Sequence, residues 1–159
     1  MAASSNLTGF DQVDAMLSKL GADAERIAEA ALYVGAGVAA GYYKTAIQEI
    51  KTEPFRHGSI ENRRLASPEE KAALHDSTGI ATFRAEGGAE VNTVVGVGVE
   101  YATIGGKKKA RRKIANAINS GTSFMQKQPV FRKVAKQCRK AVEDAMMKKA
   151  EELINQITK

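Results

Sequence analysis

The sequence predicts an α+β protein in which a long N-terminal helix and a long C-terminal helix pack on a small antiparallel β-sheet. Apolar residues recur at helical spacing near both ends of the chain, and alternating valines lie between these two regions. The chain has 159 residues, of which 43% are hydrophobic, and this is enough to build one core. We therefore expect a single domain over residues 1–159.

The N-terminal helical region is predicted in two pieces. A short helix over residues 11–20 ends at Gly21, and a longer amphipathic helix follows over residues 22–51. The longer helix contains the glycine-rich stretch 35–41, where each glycine costs an isolated helix about 1 kcal/mol relative to alanine. Close packing against a neighbour would offset that cost, and a break at either end of this stretch is the alternative.

Residues 53–78 form the least hydrophobic stretch of the chain, and prolines and a glycine interrupt it. Within this stretch, Ser67-Pro68-Glu69-Glu70 has the residue order of a capping box, so we expect a short helix that ends at about His75. Because the segment offers little apolar surface of its own, we expect a flexible excursion that becomes ordered on contact with a partner.

A β-hairpin is predicted over residues 79–101. Its two strands cover residues 79–85 and 90–101, and the four residues between them form the turn. Gly96 and Gly98 fall on the same face of the second strand, where they would let another backbone come close.

Two further helices are predicted after the hairpin. A short one over residues 114–118 ends near Gly121, and the final helix runs from Val130 to Ile157 after Pro129. Cys138 lies on the apolar stripe of the final helix, so we expect it to be a small buried side chain rather than a nucleophile.

The charges are distributed unevenly along the chain. The net charge is +6, and it equals the charge of one basic run, which consists of Lys107, Lys108, Lys109, Arg111, Arg112 and Lys113. Residues 1–106 carry a net charge of −5, and the residues after Gly106 carry +11. The basic run has three interpretations, which stay open: a solvated loop, a docking site for an acidic surface of a neighbouring copy, or a contact with phosphates.

Neither a catalytic site nor a metal or cofactor site is predicted. Gly105-Gly106-Lys107 lacks the earlier glycine of a phosphate-binding loop, because Tyr101 occupies that position. His57 and His75 are the only histidines, and neither belongs to a recognised set of metal ligands. The first ten residues lack the features of a secretory signal, and no apolar run reaches the roughly 20 residues of a membrane span. We expect a non-enzymatic protein that needs no cofactor and is made in the cytosol.

The segment 114–135 has a local pattern that can be explained by turn and helix chemistry. Gly121 can end a helix with a positive φ, Thr122 can hydrogen-bond to local backbone, and Pro129 suits the first turn of a helix. Phe124 and Phe131 are predicted to anchor this corner to the core.

The same segment resembles the minor tail or tail-completion proteins of long-tailed bacteriophages. Members of that family carry a Tyr-Ala-Pro-x-x-Glu-Phe-Gly-Thr stretch, a short polar linker and a Gln-Pro-Phe-Leu-Arg-Pro-Ala-like start of a long final helix. The residues that stand in or near the matching positions here are Ala115, Gly121, Thr122, Ser123, Met125, Gln128, Pro129, Arg132 and Ala135. The chain departs from the family pattern at Asn119, Ser120, Val130 and Lys133.

The resemblance implies a structural virion protein that acts at the head-to-tail joint. Such proteins form a ring in the neck or upper tail, typically of six copies, around the channel through which duplex DNA passes. The implied partners are other copies of the chain, neighbouring neck, connector or tail-tube proteins, and duplex DNA in non-specific contact. The implied location is the virion, after synthesis in the host cytoplasm.

The charge pattern fits such a ring, because each copy in a head-to-tail ring presents two different surfaces to its neighbours. The alternative hypothesis is a small nucleic-acid-binding protein that uses the basic run over residues 107–113.

Overall fold

A computed structural model describes residues 10–80, 84–86, 90–92, 95–98 and 100–158, and of residues 10–17, 84–86 and 90–92 it describes the backbone alone. The chain is an α+β protein, as predicted. Within the described ranges the elements are α1 Phe10–Gln48, α2 Pro68–Ser77, β1 Thr78–Ile80, β2 Arg84–Glu86, β3 Glu90–Asn92, β4 Val95–Val97, β5 Tyr101–Ile104, β6 Lys107–Ala110, α3 Arg111–Ser120, α4 Val130–Gln137 and α5 Arg139–Ile157.

The N-terminal helix α1 is continuous over 39 residues, so the predicted end at Gly21 is wrong. Burial of Ile27 and Ala31 along the following turns offsets the weak helix propensity of glycine. The glycine-rich stretch does not break the helix either. An added Cβ at Gly35 would lie 2.5 Å from Cγ of Met146, so close packing against a neighbour is confirmed at this position.

The predicted hairpin is confirmed in its described parts. β1 pairs antiparallel with β4, and β2 pairs antiparallel with β3, while parts of both predicted strands and of the turn lie outside the described residues. The backbone N–H of Gly98 donates to the carbonyl oxygen of Ser77 at 3.0 Å, so the predicted close approach of backbone occurs there. It does not occur at Gly96, where nothing lies within 4 Å of an added Cβ.

A second hairpin was not predicted. β5 pairs antiparallel with β6, and Gly105 and Gly106 connect them with φ angles of 57° and 74°. Two consecutive positive φ angles are what a two-residue hairpin turn requires. The first half of the basic run therefore forms a strand, and its interpretation as a loop is wrong.

The main core lies where α1, α2, α3 and β5 meet. Its most buried side chains are Ile47, Ile50, Leu74, Ile104 and Ile118. Because adjacent residues on a helix point about 100° apart, α1 can contribute to a second cluster as well. This second cluster contains Ala46, Val134 and Cys138, and the predicted burial of the cysteine is confirmed.

The segment 53–78 was expected to bury little, and this premise is wrong. Ala66 and Leu74 are fully buried in the main core, and Arg64 pairs with Met125 in a parallel bridge. The capping box at the start of α2 is confirmed, and this helix continues two residues beyond the predicted end. Ordering of the segment on contact with a partner stays a prediction.

The C-terminal region forms two helices instead of one. Cys138 separates α4 from α5, although hydrogen bonds of 2.9 Å from Cys138 N to Val134 O and from Val142 N to Cys138 O span the junction. No residue of α5 is buried, and its inner face packs against α1. α3 begins at Arg111, earlier than predicted, and Gly121 ends it with the expected positive φ of 75°.

Candidate functional site

The six cations of the basic run lie on two elements: Lys107, Lys108 and Lys109 on β6, and Arg111, Arg112 and Lys113 in the first turn of α3. Two of them form ion pairs within the chain. Lys109 Nζ lies 3.4 Å from Oε1 of Glu70 and 4.9 Å from the ring centroid of Phe55, and Arg111 Nη1 lies 2.9 Å from Oε2 of Glu100. The other four are exposed, and none forms an ion pair within the described part of the chain. The run is therefore partly structural.

Glu70 is the centre of a buried polar network that explains the position of Lys109. Its carboxylate accepts hydrogen bonds from Arg64 Nη1 and Nη2 at 2.7 and 2.6 Å, and from the backbone N–H of Ser67 at 3.0 Å. Burial raises the pKa of Glu70, but the hydrogen bonds and the positive charges of Arg64 and Lys109 outweigh this effect and hold the pKa below its ordinary value. The network joins the second hairpin to α2.

The turn after α3 contains the residues that resemble the phage family, and it holds a lysine in place. An added Cβ at Gly121 would lie 3.0 Å from Cβ of Lys127, so the glycine permits close packing of that lysine. Thr122 Oγ1 accepts from the backbone N–H of Met125 at 3.0 Å, as predicted. Gln128 accepts from Lys51 N at 2.9 Å through Oε1, and its Nε2 donates to Lys51 O at 3.0 Å. This clamp joins the start of α4 to the end of α1.

The other predicted motif residues differ in their surroundings. Pro129 is the N-cap residue of α4, and Arg132 is exposed on that helix. Phe131 packs against Tyr43 with ring centroids 5.9 Å apart, which confirms its anchoring role. Phe124 is 55% exposed, so its predicted contact with the core is wrong.

A continuous open groove runs along the boundary between α1 and α4, and we call it the α1–α4 groove. It consists of two stretches of about 480 and about 500 Å³ that share the residues Ala46, Glu49, Val134 and Gln137. The first stretch, the apolar end, is also lined by Gly37, Val38, Gly41, Tyr42 and Thr45. The second stretch, the lysine end, is also lined by Lys51, Leu65, Gln126, Lys127, Gln128, Pro129, Val130 and Lys133.

Sequence reasoning missed the lysine end because its residues come from distant segments. Lys51, Lys127 and Lys133 approach each other through the Gln128 clamp, which joins positions 77 residues apart. A signal was present nonetheless. Between Lys107 and Lys140 the sequence contains twelve lysines and arginines and no aspartate or glutamate. The dense run at residues 107–113 drew attention away from the wider basic segment.

The described residues contain no group of three or more His, Cys, Asp or Glu side chains that could hold a metal ion. His57 is exposed, and His75 Nδ1 lies 3.5 Å from a carboxylate oxygen of Asp76. No helix in the described part of the chain is both long and apolar enough to cross a membrane.

Comparison with known proteins leaves the family open. No protein-family model, no curated protein and no solved structure matches the chain.

Proposed function

We propose that the protein is a structural subunit that assembles with other copies of itself into an oligomeric ring. Following the resemblance of residues 114–135, the ring would lie at the neck or upper tail of a tailed phage or a phage-like particle and join tail to head around the DNA channel. The observation that carries the proposal is that one small chain presents two chemically different surfaces, as a head-to-tail ring requires.

The first surface is acidic and helical. Glu25 and Glu29 are exposed on α1, and Asp144 and Glu151 are exposed on α5. Because α5 contains no buried residue, the helix pair has an outer face that nothing in the described chain covers. Helices normally bury one face against another layer, so an uncovered pair is suited to contact with another subunit.

The second surface is basic and lies at the opposite end of the chain's charge distribution. It comprises the lysine end of the α1–α4 groove and exposed cations of the basic segment, among them Arg132 and Lys136 on α4. Opposite charges on complementary surfaces steer association and fix the relative orientation of two subunits. The partners proposed for the ring are therefore further copies of the chain, followed by neighbouring neck, connector or tail-tube proteins.

A second candidate function is nucleic-acid binding. Lys107, Lys108, Arg112 and Lys113 are exposed, with no ion pair in the described ranges. Lysine, arginine and glutamine side chains are common donors to phosphate oxygens, and such contacts require no sequence-specific readout. This function would place duplex DNA on the basic surface in place of a neighbouring subunit.

The two functions can be separated by fluorescence anisotropy with labelled duplex DNA at two salt concentrations. A ring subunit is expected to bind DNA negligibly near physiological salt. Tight binding that falls steeply with salt would support the nucleic-acid function, because phosphate contacts release counterions. The matched variant replaces the four unpaired cations of the run by glutamine and leaves Lys109 and Arg111 in their ion pairs. If DNA binding is the function, this variant loses it and keeps its fold by circular dichroism.

A further inference from the structure

We propose that the outward face of α5 of one copy docks into the α1–α4 groove of the next copy. The inference rests on the proposed ring assembly and specifies which surfaces meet. Its occupant is a second copy of this chain, for three reasons that concern shape, apolar exposure and charge.

The apolar end of the groove can accept a helix at close range. Gly37 and Gly41 line it one helical turn apart, and nothing lies within 4 Å of an added Cβ at either glycine. Val38 and Tyr42 flank them, and Tyr42 is 41% exposed. Without side chains at the two glycines, the backbone of an incoming helix can approach α1 closely while its apolar residues contact the flanking side chains.

The lysine end continues the groove and adds charge. Lys51, Lys127 and Lys133 line it, and Glu49 is the only acidic residue among the lining residues. None of the three lysines forms an ion pair within the part of the chain that the structure describes. An occupant that carries carboxylates beside an apolar stripe would satisfy both ends of the groove.

The outward face of α5 has this composition. Met147 is 61% exposed and Ile154 is 38% exposed, and their spacing of seven residues puts them on the same side of the helix. Asp144 and Glu151 lie on the same side, within one turn of Met147, and neither forms an ion pair among the described residues. The face therefore offers an apolar stripe with an acidic rim.

The two surfaces differ from each other and lie on the same chain, so the contact is head-to-tail and repeats from copy to copy. Such a contact closes into a ring when the rotation between neighbours permits. Nucleic acid is a weaker fit for this groove, because phosphates would gain nothing from the exposed apolar end.

Charge reversal on each surface tests the docking. The groove variant is Lys127→Glu with Lys133→Glu, and the α5 variant is Asp144→Lys with Glu151→Lys. The control is Lys19→Glu with Lys44→Glu, which reverses two exposed lysines that do not line the groove. Self-association is followed by sedimentation velocity over a range of protein concentrations, and circular dichroism checks that each variant is folded.

We expect each of the two test variants alone to associate at least about tenfold more weakly than the wild type, since each brings like charges together. An equimolar mixture of the two variants restores association, because the reversed groove attracts the reversed α5 and the two native surfaces still match. A chain that carries all four substitutions also associates, and the control behaves as the wild type does.

The outcomes separate this inference from the proposed function. Association that is unchanged in both test variants overturns the docking mode and leaves a ring by another interface. Loss of association without rescue in the mixture also overturns it. A wild type that stays monomeric at every concentration contradicts the ring itself. Loss of DNA binding in the groove variant, with association unchanged, would assign the groove to nucleic acid.

Discussion

The two ends of the molecule are held together in different ways. The base, by which we mean the main core with α2, α3 and the second hairpin, contains fully buried aliphatic side chains and a buried carboxylate whose hydrogen bonds come from within the chain. The arm, by which we mean residues 18–40 of α1 together with α5, has no buried residue on α5. The comparison indicates that the base supplies the stability of the monomer, whereas the arm offers surface for assembly.

The largest expected effect is at the centre of the base. Glu70→Ala removes the carboxylate and leaves the guanidinium of Arg64 buried without its partner. Removal of one member of a buried pair costs about 3–5 kcal/mol, so the free energy of unfolding should fall by that amount. Urea denaturation followed by circular dichroism measures it. Glu69→Ala, at the exposed neighbouring position, is the control and should change stability little. Equal losses in both variants would contradict a special role for the base network.

A smaller loss is expected at the turn that shapes the groove. Gly121→Ala places a side chain at φ 75° and ψ 165°, a region that residues other than glycine rarely adopt, and the cost is about 1–3 kcal/mol. The control is Gly96→Ala, where φ is not positive and nothing lies within 4 Å of the added Cβ. The difference between the two urea midpoints measures the strain. Absence of any difference would show that the turn is not constrained as described.

Acid should weaken the base through the same carboxylate. The pKa of Glu70 in the folded chain lies below its ordinary value of 4.5. A lowered carboxylate pKa stabilises the fold fully above the unfolded-state pKa, and this contribution is lost as the pH falls through the folded pKa. Urea unfolding over the range from about pH 6 to about pH 3 should therefore show stability falling with acid. The Glu70→Gln variant should show a shallower fall, and an identical slope in both proteins would assign the acid sensitivity to other groups.

The smallest expected effect is in the arm, and it has the opposite sign. Gly37→Ala adds a methyl group where nothing lies within 4 Å, so it should raise the free energy of unfolding by up to about 1 kcal/mol through helix propensity alone. Thermal denaturation measures the gain. A clear destabilisation would mean that this part of α1 is packed in the monomer and that the contrast between arm and base is overstated.

Local chemistry made some parts of the fold predictable from the sequence. Ser67 and Glu70 form the predicted capping box because both partners lie within one helical turn. Gly121 ends α3 with a positive φ, and the first hairpin follows the alternation of its valines. These features depend on residues that are close together in the chain.

The features that escaped prediction depend on distant contacts. Packing carries α1 through Gly21, although the local propensity favours an end there. β6 is rich in lysine and has little strand propensity, but Gly105 and Gly106 and pairing with β5 fix it as a strand. The lysine end of the groove exists because Gln128 binds the backbone of Lys51, and no spacing rule links those two positions.

Electron microscopy of the purified wild-type protein at high concentration and low salt tests the central claim most directly. Low salt is chosen because it strengthens contacts between oppositely charged surfaces. If the protein is a ring subunit, the particles will be closed rings of one copy number with an open centre. Particles no larger than a monomer at every concentration would contradict the account.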